Sequence, residues 1–107
     1  MVITLFWSRF RDDLDEAARA AYQADAARMQ ALVEQAPGFV AVKSYRSEDG
    51  ERLTISVFET EEQQAAWRQE PEHVAAQERG RERYYKEYRV QVCTPAREHV
   101  WSLGNAP

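Results

Sequence analysis

The sequence predicts a small α+β domain built on one antiparallel β-sheet. Four segments rich in β-branched and aromatic residues alternate with two helical segments, in the order strand, helix, strand, strand, helix, strand. The two middle strands are separated by Asp49-Gly50, a pair typical of a tight hairpin turn. The strands carry apolar residues on both sides, so we expect both faces of the sheet to be covered.

The first strand is predicted over residues 2–10, and the first helix runs from a cap at Asp12 or Asp13 to about Ala36. Pro37-Gly38 ends this helix. Asp25 falls within the apolar stripe of the helix, where we expect it to pair with an Arg or Lys of the sheet rather than line a functional cavity. The stripe consists of Leu14, Ala18, Ala21, Tyr22, Met29, Leu32 and Val33.

The remaining elements follow from turn and cap signals. Strands are predicted over 39–47 and 52–59, and Thr60 is a good cap for the second helix. Pro71 cannot continue a helix but suits the first position of a new one, so we predict a helix to about Gln69, a break, and a short helix over 71–79 ended by Gly80. A final strand is predicted over 84–101, disturbed at Pro95, and residues 102–107 form a loose tail outside the domain of residues 1–101.

This order of elements is that of the ferredoxin-like βαββαβ unit, in which an antiparallel sheet carries two helices on one face. The helices can cover one face only, although the strands are apolar on both. We therefore expect a second copy of the chain to cover the other face, giving a homodimeric α+β barrel with the long last strand reaching into the partner.

Composition narrows the classes of function. The chain has 107 residues, 44% hydrophobic and 30% charged, which is typical of a globular domain. Its formal net charge of −4 argues against nucleic-acid binding, and no apolar run is long enough for a membrane span. The single cysteine, Cys93, excludes a disulfide framework and is expected to be a small buried residue. We expect a cytoplasmic protein.

The residues resemble the antibiotic biosynthesis monooxygenase (ABM) superfamily of dimeric α+β barrels over nearly the whole chain. The resemblance supports the fold more strongly than any reaction, because the superfamily includes quinol-oxidising and heme-degrading enzymes and members without a known substrate. The matching segments are Gly38-Phe39, residues 56–60 (SVFET), Ala66-Trp67-Arg68, residues 72–77 (EHVAAQ), Gly80-Arg81 and residues 88–90 (YRV).

The resemblance implies a cofactor-free oxygenase that acts on a small aromatic or quinol-like molecule. Family members place an amide one helical turn before a tryptophan and a tyrosine six residues after it; here these positions hold Gln63, Trp67 and His73. We predict that these three are catalytic and that His73 replaces the tyrosine as the proton-handling group. His73 reaches Trp67 only if the helix breaks at Pro71, since Val74 would take that face of a continuous helix. Three further residues are predicted to bind substrate: Phe6, Tyr22 and Gln77.

Other interpretations stay open from sequence alone. Trp67 is equally suited to anchoring a helix on the sheet, and His73 to capping a helix. Tyr84, Tyr85 and Tyr88 are expected to pack at the dimer interface. The same fold could serve a non-catalytic binding domain. Heme degradation is a minor alternative, because the asparagine that this branch carries on the first strand is missing. We predict no cofactor and no metal site, since His73 and His99 lie in different elements.

Overall fold

The computed structural model describes residues 1–105 and has the predicted ferredoxin-like α+β architecture. One antiparallel sheet in the order β2-β3-β1-β4 contains β1 (Val2–Phe10), β2 (Phe39–Arg46), β3 (Arg52–Phe58) and β4 (Tyr85–Cys93). The helices are α1 (Glu16–Val33), α2 (Glu61–Arg68) and α3 (Pro71–Arg79), and a π-helical turn (Gly80–Tyr84) connects α3 to β4.

The three helices pack on one face of the sheet, and the core lies between them and β1. The most buried apolar side chains of the described residues, Val2, Val33, Phe58 and Tyr84, come from two strands, one helix and the π-helical turn. β1 lies at the centre because it pairs with both β3 and β4. Within residues 1–105, no helix has both the length and the apolar character needed to cross a bilayer.

The opposite face of the sheet is also apolar, as the sequence predicts. Alternation along the strands places Ile3, Leu5 and Trp7 of β1 beside Ile55 and Val57 of β3 on the side away from the helices. These side chains are only partly buried. A ferredoxin-like unit with one helical layer therefore presents an apolar sheet surface on its other side.

Helix α1 begins later than predicted. Asp12 and Asp13 lie in a turn, and the cap is Asp15, whose Oδ1 accepts a hydrogen bond of 2.8 Å from the backbone N–H of Ala18. Each of the three aspartates is suited to capping. Only Asp15 directly precedes the first turn of α1, where the backbone N–H groups have no acceptor within the helix. The predicted apolar stripe is the buried side of the helix, with Val33 buried most deeply.

Two glycines are required by backbone geometry. Gly50 has φ +91° in the predicted turn between β2 and β3. Gly38 has φ +81°, and a Cβ there would overlap the side chain of Gln63. The close contact at Gly38 joins the end of α1 to the first turn of α2.

The last strand ends earlier than predicted, at Cys93 instead of residue 101. β1 provides its pairing edge only as far as Ile3, which is paired with Cys93, and Pro95 has no N–H to extend a ladder. Val100, Trp101 and Leu103 then expose 70–82% of their surface. Leu103–Asn105 form one 3₁₀ turn, and the rest of the predicted loose tail, residues 106 and 107, lies outside the described residues.

Candidate active site

A cavity of about 510 Å³ separates the helical layer from the sheet. Its size is within the range of small-molecule sites. The sheet lines it with polar and apolar side chains, among them Thr4, Phe6, Ser44, Thr54, Ser56 and Val90. The helices line it from the other side with residues that include Tyr22, Met29, Gln64, Trp67, His73 and Gln77.

Trp67 and His73 form a stacked pair in the cavity wall. Their ring centroids are 4.3 Å apart and the ring planes differ by 16°. The Nδ1 atom of His73 lies 2.9 Å from the backbone oxygen of Trp67. One contact is thus made by stacking and the other by a hydrogen bond, so the imidazole is held in a single orientation against the indole.

The break between α2 and α3 creates this pair. α2 ends at Arg68, and Pro71 is the first residue of α3, as predicted. Glu70 caps the new helix: its Oε2 atom accepts a hydrogen bond of 2.9 Å from the backbone N–H of His73. Six residues on an unbroken helix would point the imidazole away from the indole, so the cap and the proline together determine where His73 lies.

The hydrogen bond to Trp67 also determines the tautomer of His73. A backbone carbonyl oxygen only accepts, so Nδ1 carries the proton and Nε2 of the neutral ring keeps its lone pair. Nε2 has no hydrogen-bond partner among residues 1–105. Burial lowers the pKa of His73 below its ordinary value of about 6.5, opposed by the Trp67 carbonyl and the charge of Glu70. The ring is therefore neutral at pH 7 and can accept a proton.

One end of the cavity is aromatic. Phe6 contacts the rings of Tyr85 and Tyr88 at centroid distances of 5.5 and 5.4 Å, and Tyr22 contacts Tyr84 edge-on at 5.5 Å. The packing of the three C-terminal tyrosines at a dimer interface stays a prediction. Within the described structure all three line the cavity, Tyr84 from the π-helical turn and Tyr85 and Tyr88 from β4.

Asp25 holds this end together. Arg79 donates two hydrogen bonds to it, at 2.9 and 3.0 Å, and the Tyr84 hydroxyl donates a third at 2.8 Å. The bond from Arg79 and that from Tyr84 lower the pKa of Asp25 against the opposing effect of burial. Asp25 is paired, as predicted, but its partner comes from α3 rather than from the sheet, and it lies in the cavity wall as well.

Burial raises the pKa of Tyr84 and of Tyr85, so both phenols are neutral at pH 7. For Tyr84 the neighbouring carboxylate of Asp25 adds to the effect. For Tyr85 burial is the largest cause. Neutral phenols with fixed rings supply an apolar surface with polar edges, which suits contact with a flat ring system.

The structure brings five of the six predicted site residues to the cavity: Phe6, Tyr22, Trp67, His73 and Gln77. The sixth, Gln63, lines a separate groove beside Ala36 and Pro37, where its side chain packs over Gly38. The neighbouring Gln64 lies in the cavity instead and is only 4% exposed. Both amides are about one turn before Trp67, so spacing alone could not choose between them.

Within the part of the chain that the structure describes, no group of three or more His, Cys, Asp or Glu side chains is close enough to hold a metal ion. Arg81 donates a hydrogen bond of 3.1 Å to the hydroxyl of Tyr88. In the cavity wall, the carboxylate of Asp25 and the hydroxyls of Ser44 and Thr54 are therefore engaged with neighbouring groups, whereas His73 Nε2 and the side chains of Gln64 and Thr4 have no hydrogen-bond partner within the described residues.

Comparison with known proteins identifies the family. The family model for antibiotic biosynthesis monooxygenase matches residues 9–79, which run from the end of β1 through α3. The chain belongs to the antibiotic biosynthesis monooxygenase family. The family assignment agrees with the resemblance found in the sequence, and the matched region includes the segment from Trp67 to His73.

Related proteins agree with this assignment. The chain is 36% identical over 80 residues to the uncharacterized protein YqjZ of Bacillus subtilis (strain 168), covering 75% of this chain and 70% of that protein. SnoaB, a cofactor-independent oxygenase from Streptomyces nogalater, has the same fold, with a TM-score of 0.72, 16% identity and coverage of 91% and 94% of the two chains. A dimeric ferredoxin-like protein of unknown function from Bacteroides fragilis has a TM-score of 0.68, 15% identity and coverage of 86% and 93%.

Proposed function

We propose that this protein is a homodimeric, cofactor-independent monooxygenase that oxidises a small flat aromatic or quinol-like substrate with O2. The stacked Trp67–His73 pair carries this proposal, because it places a neutral histidine with a free Nε2 in the wall of a cavity that has an aromatic end. A base of that kind is what the reaction of such a substrate requires first.

Substrate binding would use the aromatic surfaces already present. A flat ring system lying against Phe6 and Tyr22 would gain apolar burial and edge-to-face contacts. Trp67 would form the adjoining wall, and Gln77 would contact the ligand from α3. Gln63 lies outside this cavity, so the orienting amide that the resemblance implied there is not part of the proposed site.

With an anthrone as the substrate, the methylene carbon becomes a carbonyl. His73 Nε2 takes the hydroxyl proton of the enol form, and the resulting anion gives one electron to O2. The substrate radical and superoxide then combine at the carbon, and the proton returns to the new oxygen to give a hydroperoxide. Loss of water from the hydroperoxide leaves the quinone, so one O2 yields one carbonyl oxygen and one water.

The apolar outer face of the sheet supports the dimer. Ile3, Leu5 and Trp7 with Ile55 and Val57 form a surface that two copies could bury against each other. The exposed apolar residues of the tail beyond Cys93 would extend the interface onto the partner. The protein of the same fold from Bacteroides fragilis is described as dimeric, which agrees with this arrangement.

Oxygen uptake with a panel of anthrones and hydroquinones tests the proposal. We expect repeated turnover, one O2 consumed per molecule oxidised, and one atom of ¹⁸O2 in the product. Substrate binding without oxygen uptake would contradict catalysis and favour a binding domain. A heme titration on the same sample provides the remaining contrast: a Soret shift saturating at one heme per chain would contradict the cofactor-free mechanism and favour the heme-degrading branch.

A further inference from the structure

Gln64 is the one strongly buried polar side chain of the cavity whose polar atoms bind nothing in the described structure. Its residue exposure is 4%, and its amide makes no hydrogen bond to any group of residues 1–105. Its backbone N–H donates a hydrogen bond to the carbonyl oxygen of Thr60 in the first turn of α2. The amide is not among the fully enclosed polar atoms that lack a partner, so it stays accessible from the cavity, where a bound ligand can form hydrogen bonds with it.

A second unpaired group lies on the sheet side of the same cavity. The hydroxyl oxygen of Thr4 is buried and has no hydrogen-bond partner within the described residues. The nearby hydroxyls of Ser44 and Thr54 lie 3.0 Å apart and satisfy each other, and the other enclosed atom without a partner, Gln63 Oε1, belongs to a residue outside this cavity. Two elements thus contribute one polar group each without a hydrogen-bond partner in the described structure: the Gln64 amide is accessible from the cavity, and the Thr4 hydroxyl oxygen is enclosed in its wall.

Gln64 and Thr4 are both close in sequence to residues of the proposed active site. Gln64 stands three residues before Trp67, about 4.5 Å along the axis of α2 at 1.5 Å per residue, and His73 follows Trp67 after the helix break. On β1, Thr4 is two residues before Phe6, which belongs to the aromatic end. The unsatisfied groups therefore adjoin the aromatic surface rather than forming part of it.

We infer that Gln64 and Thr4 form a polar subsite that selects aromatic substrates bearing a second oxygen substituent, a hydroxyl or carbonyl, away from the hydroxyl that His73 deprotonates. The amide can donate to this oxygen through Nε2 or accept from it through Oε1, and the threonine hydroxyl can also do both. This inference rests on the proposed function, because it requires an aromatic ligand in the cavity. Gln64 acts here in substrate selection and takes no part in the proton transfer.

Binding of matched naphthalenes by isothermal titration calorimetry tests the inference without relying on turnover. The probes are 2,6-dihydroxynaphthalene and 6-methyl-2-naphthol, which differ by a hydroxyl or a methyl of similar size at the far end. We expect the wild-type protein to bind the diol about tenfold more tightly. Gln64→Leu should reverse the preference, because the second hydroxyl would then be buried without a partner. Gln23→Leu, on the exposed side of α1, should keep it.

Thermal unfolding of the ligand-free variants separates ligand selection from a structural role. Leucine at residue 64 removes an amide that makes no hydrogen bond within the described residues, so we expect Gln64→Leu to unfold at the same temperature as the wild-type protein or higher. Thr4→Val removes the hydroxyl without changing size and should likewise keep or raise the unfolding temperature while weakening the preference for the diol. If Gln64→Leu does not fold, Thr4→Val carries the test alone.

The outcomes distinguish this inference from the function on which it rests. Equal affinity of the wild-type protein for the two naphthalenes would overturn the polar subsite while leaving an aromatic site in place. Lower unfolding temperatures with unchanged selectivity would overturn it also, in favour of a structural role. Failure of both naphthalenes to bind would contradict the aromatic cavity of the proposed function, and the subsite with it.

Discussion

His73 stacks on Trp67 at 4.3 Å although the two residues are six apart in sequence and belong to different helices. Two devices produce this arrangement: a proline that begins α3 and the Glu70 carboxylate that caps it through the N–H of His73. The same histidine donates its Nδ1 proton to the Trp67 carbonyl. A helix break thus both positions the imidazole and selects the tautomer that can act as a base.

Removing the cap should loosen this histidine. Glu70→Ala takes away the acceptor for the His73 N–H, and we expect the free energy of unfolding to fall by about 1 kcal/mol, a typical effect of losing a cap. Oxygen uptake should fall as well, because the imidazole is no longer held against Trp67. Urea unfolding and initial rates measure the two effects. Glu78→Ala, at an exposed position of the same helix, is the control; equal effects of both variants would contradict a positioning role for Glu70.

The hydrogen bonds of Asp25 with Arg79 and Tyr84, which we call the Asp25 clamp, lead to a separate prediction about stability. Asp25→Asn weakens the hydrogen bonds from Arg79 and Tyr84, and we expect the free energy of unfolding to fall by about 1 kcal/mol. This is less than the effect of losing a fully buried charged hydrogen bond, because the pair is partly exposed. Urea unfolding of Asp25→Asn, Arg79→Gln and the double variant measures the coupling. Additive losses would contradict a direct interaction.

The pKa of Asp25 gives this clamp a defined dependence on pH. The folded state lowers the pKa, so the stabilisation is fully present above the ordinary value near 4 and is lost as the pH falls through the folded value. The difference in unfolding free energy between the wild-type protein and Asp25→Asn should therefore shrink in acid below pH 4. A difference that instead grows with acidity would contradict the assignment.

The fold could be predicted from sequence because each element carries its own local signal. Asp-Gly marks the hairpin, Thr60 marks the start of α2, and Pro71 marks the break. Less could be predicted where several residues are equally suited, as with the three aspartates before α1. The end of β4 depends on how far β1 offers a partner, which is a property of the pairing and not of the strand itself.

The residue types of the site could be predicted from the sequence, but which side chains enter the cavity could be predicted less well. Gln63 and Gln64 have nearly the same spacing to Trp67, and the rotation of α2 over the sheet decides which of them enters the cavity. The position of Tyr84 in the cavity wall depends on a π-helical turn of five residues before β4, for which the sequence carries no signal that we could identify. In both cases the deciding quantity is a tertiary rotation that local preferences do not determine.

A charge on the outer sheet face should separate the proposed dimer. Ile55→Lys would bury an ammonium group between two apolar sheets, so we expect a monomer by multi-angle light scattering with an unchanged far-UV circular dichroism spectrum. Ala20→Lys adds the same charge on the exposed side of α1 and should leave the dimer intact. A dimeric Ile55→Lys protein would contradict this interface.

Turnover should follow the ionisation of a histidine whose pKa lies below its ordinary value. The base is active when neutral, so kcat/KM of the wild-type protein should rise with pH, inflect below pH 6.5 and be level at pH 7. The free energy of unfolding depends on pH in the same direction. The unfolded chain binds this proton more readily than the folded protein, so stability is lost as the pH falls from about 6.5. An inflection that follows the pKa of each substrate instead would contradict proton uptake by His73.

The most direct test of the central claim is oxygen uptake by His73→Ala with a substrate that the wild-type protein oxidises. The variant lacks only the imidazole, and His99→Ala, which alters the other histidine of the chain in an exposed segment, is the matched control. We predict that His73→Ala loses at least 100-fold in kcat, in line with the contribution of general base catalysis, while light scattering finds the same assembly and His99→Ala keeps its rate. Unchanged turnover by His73→Ala would contradict the account.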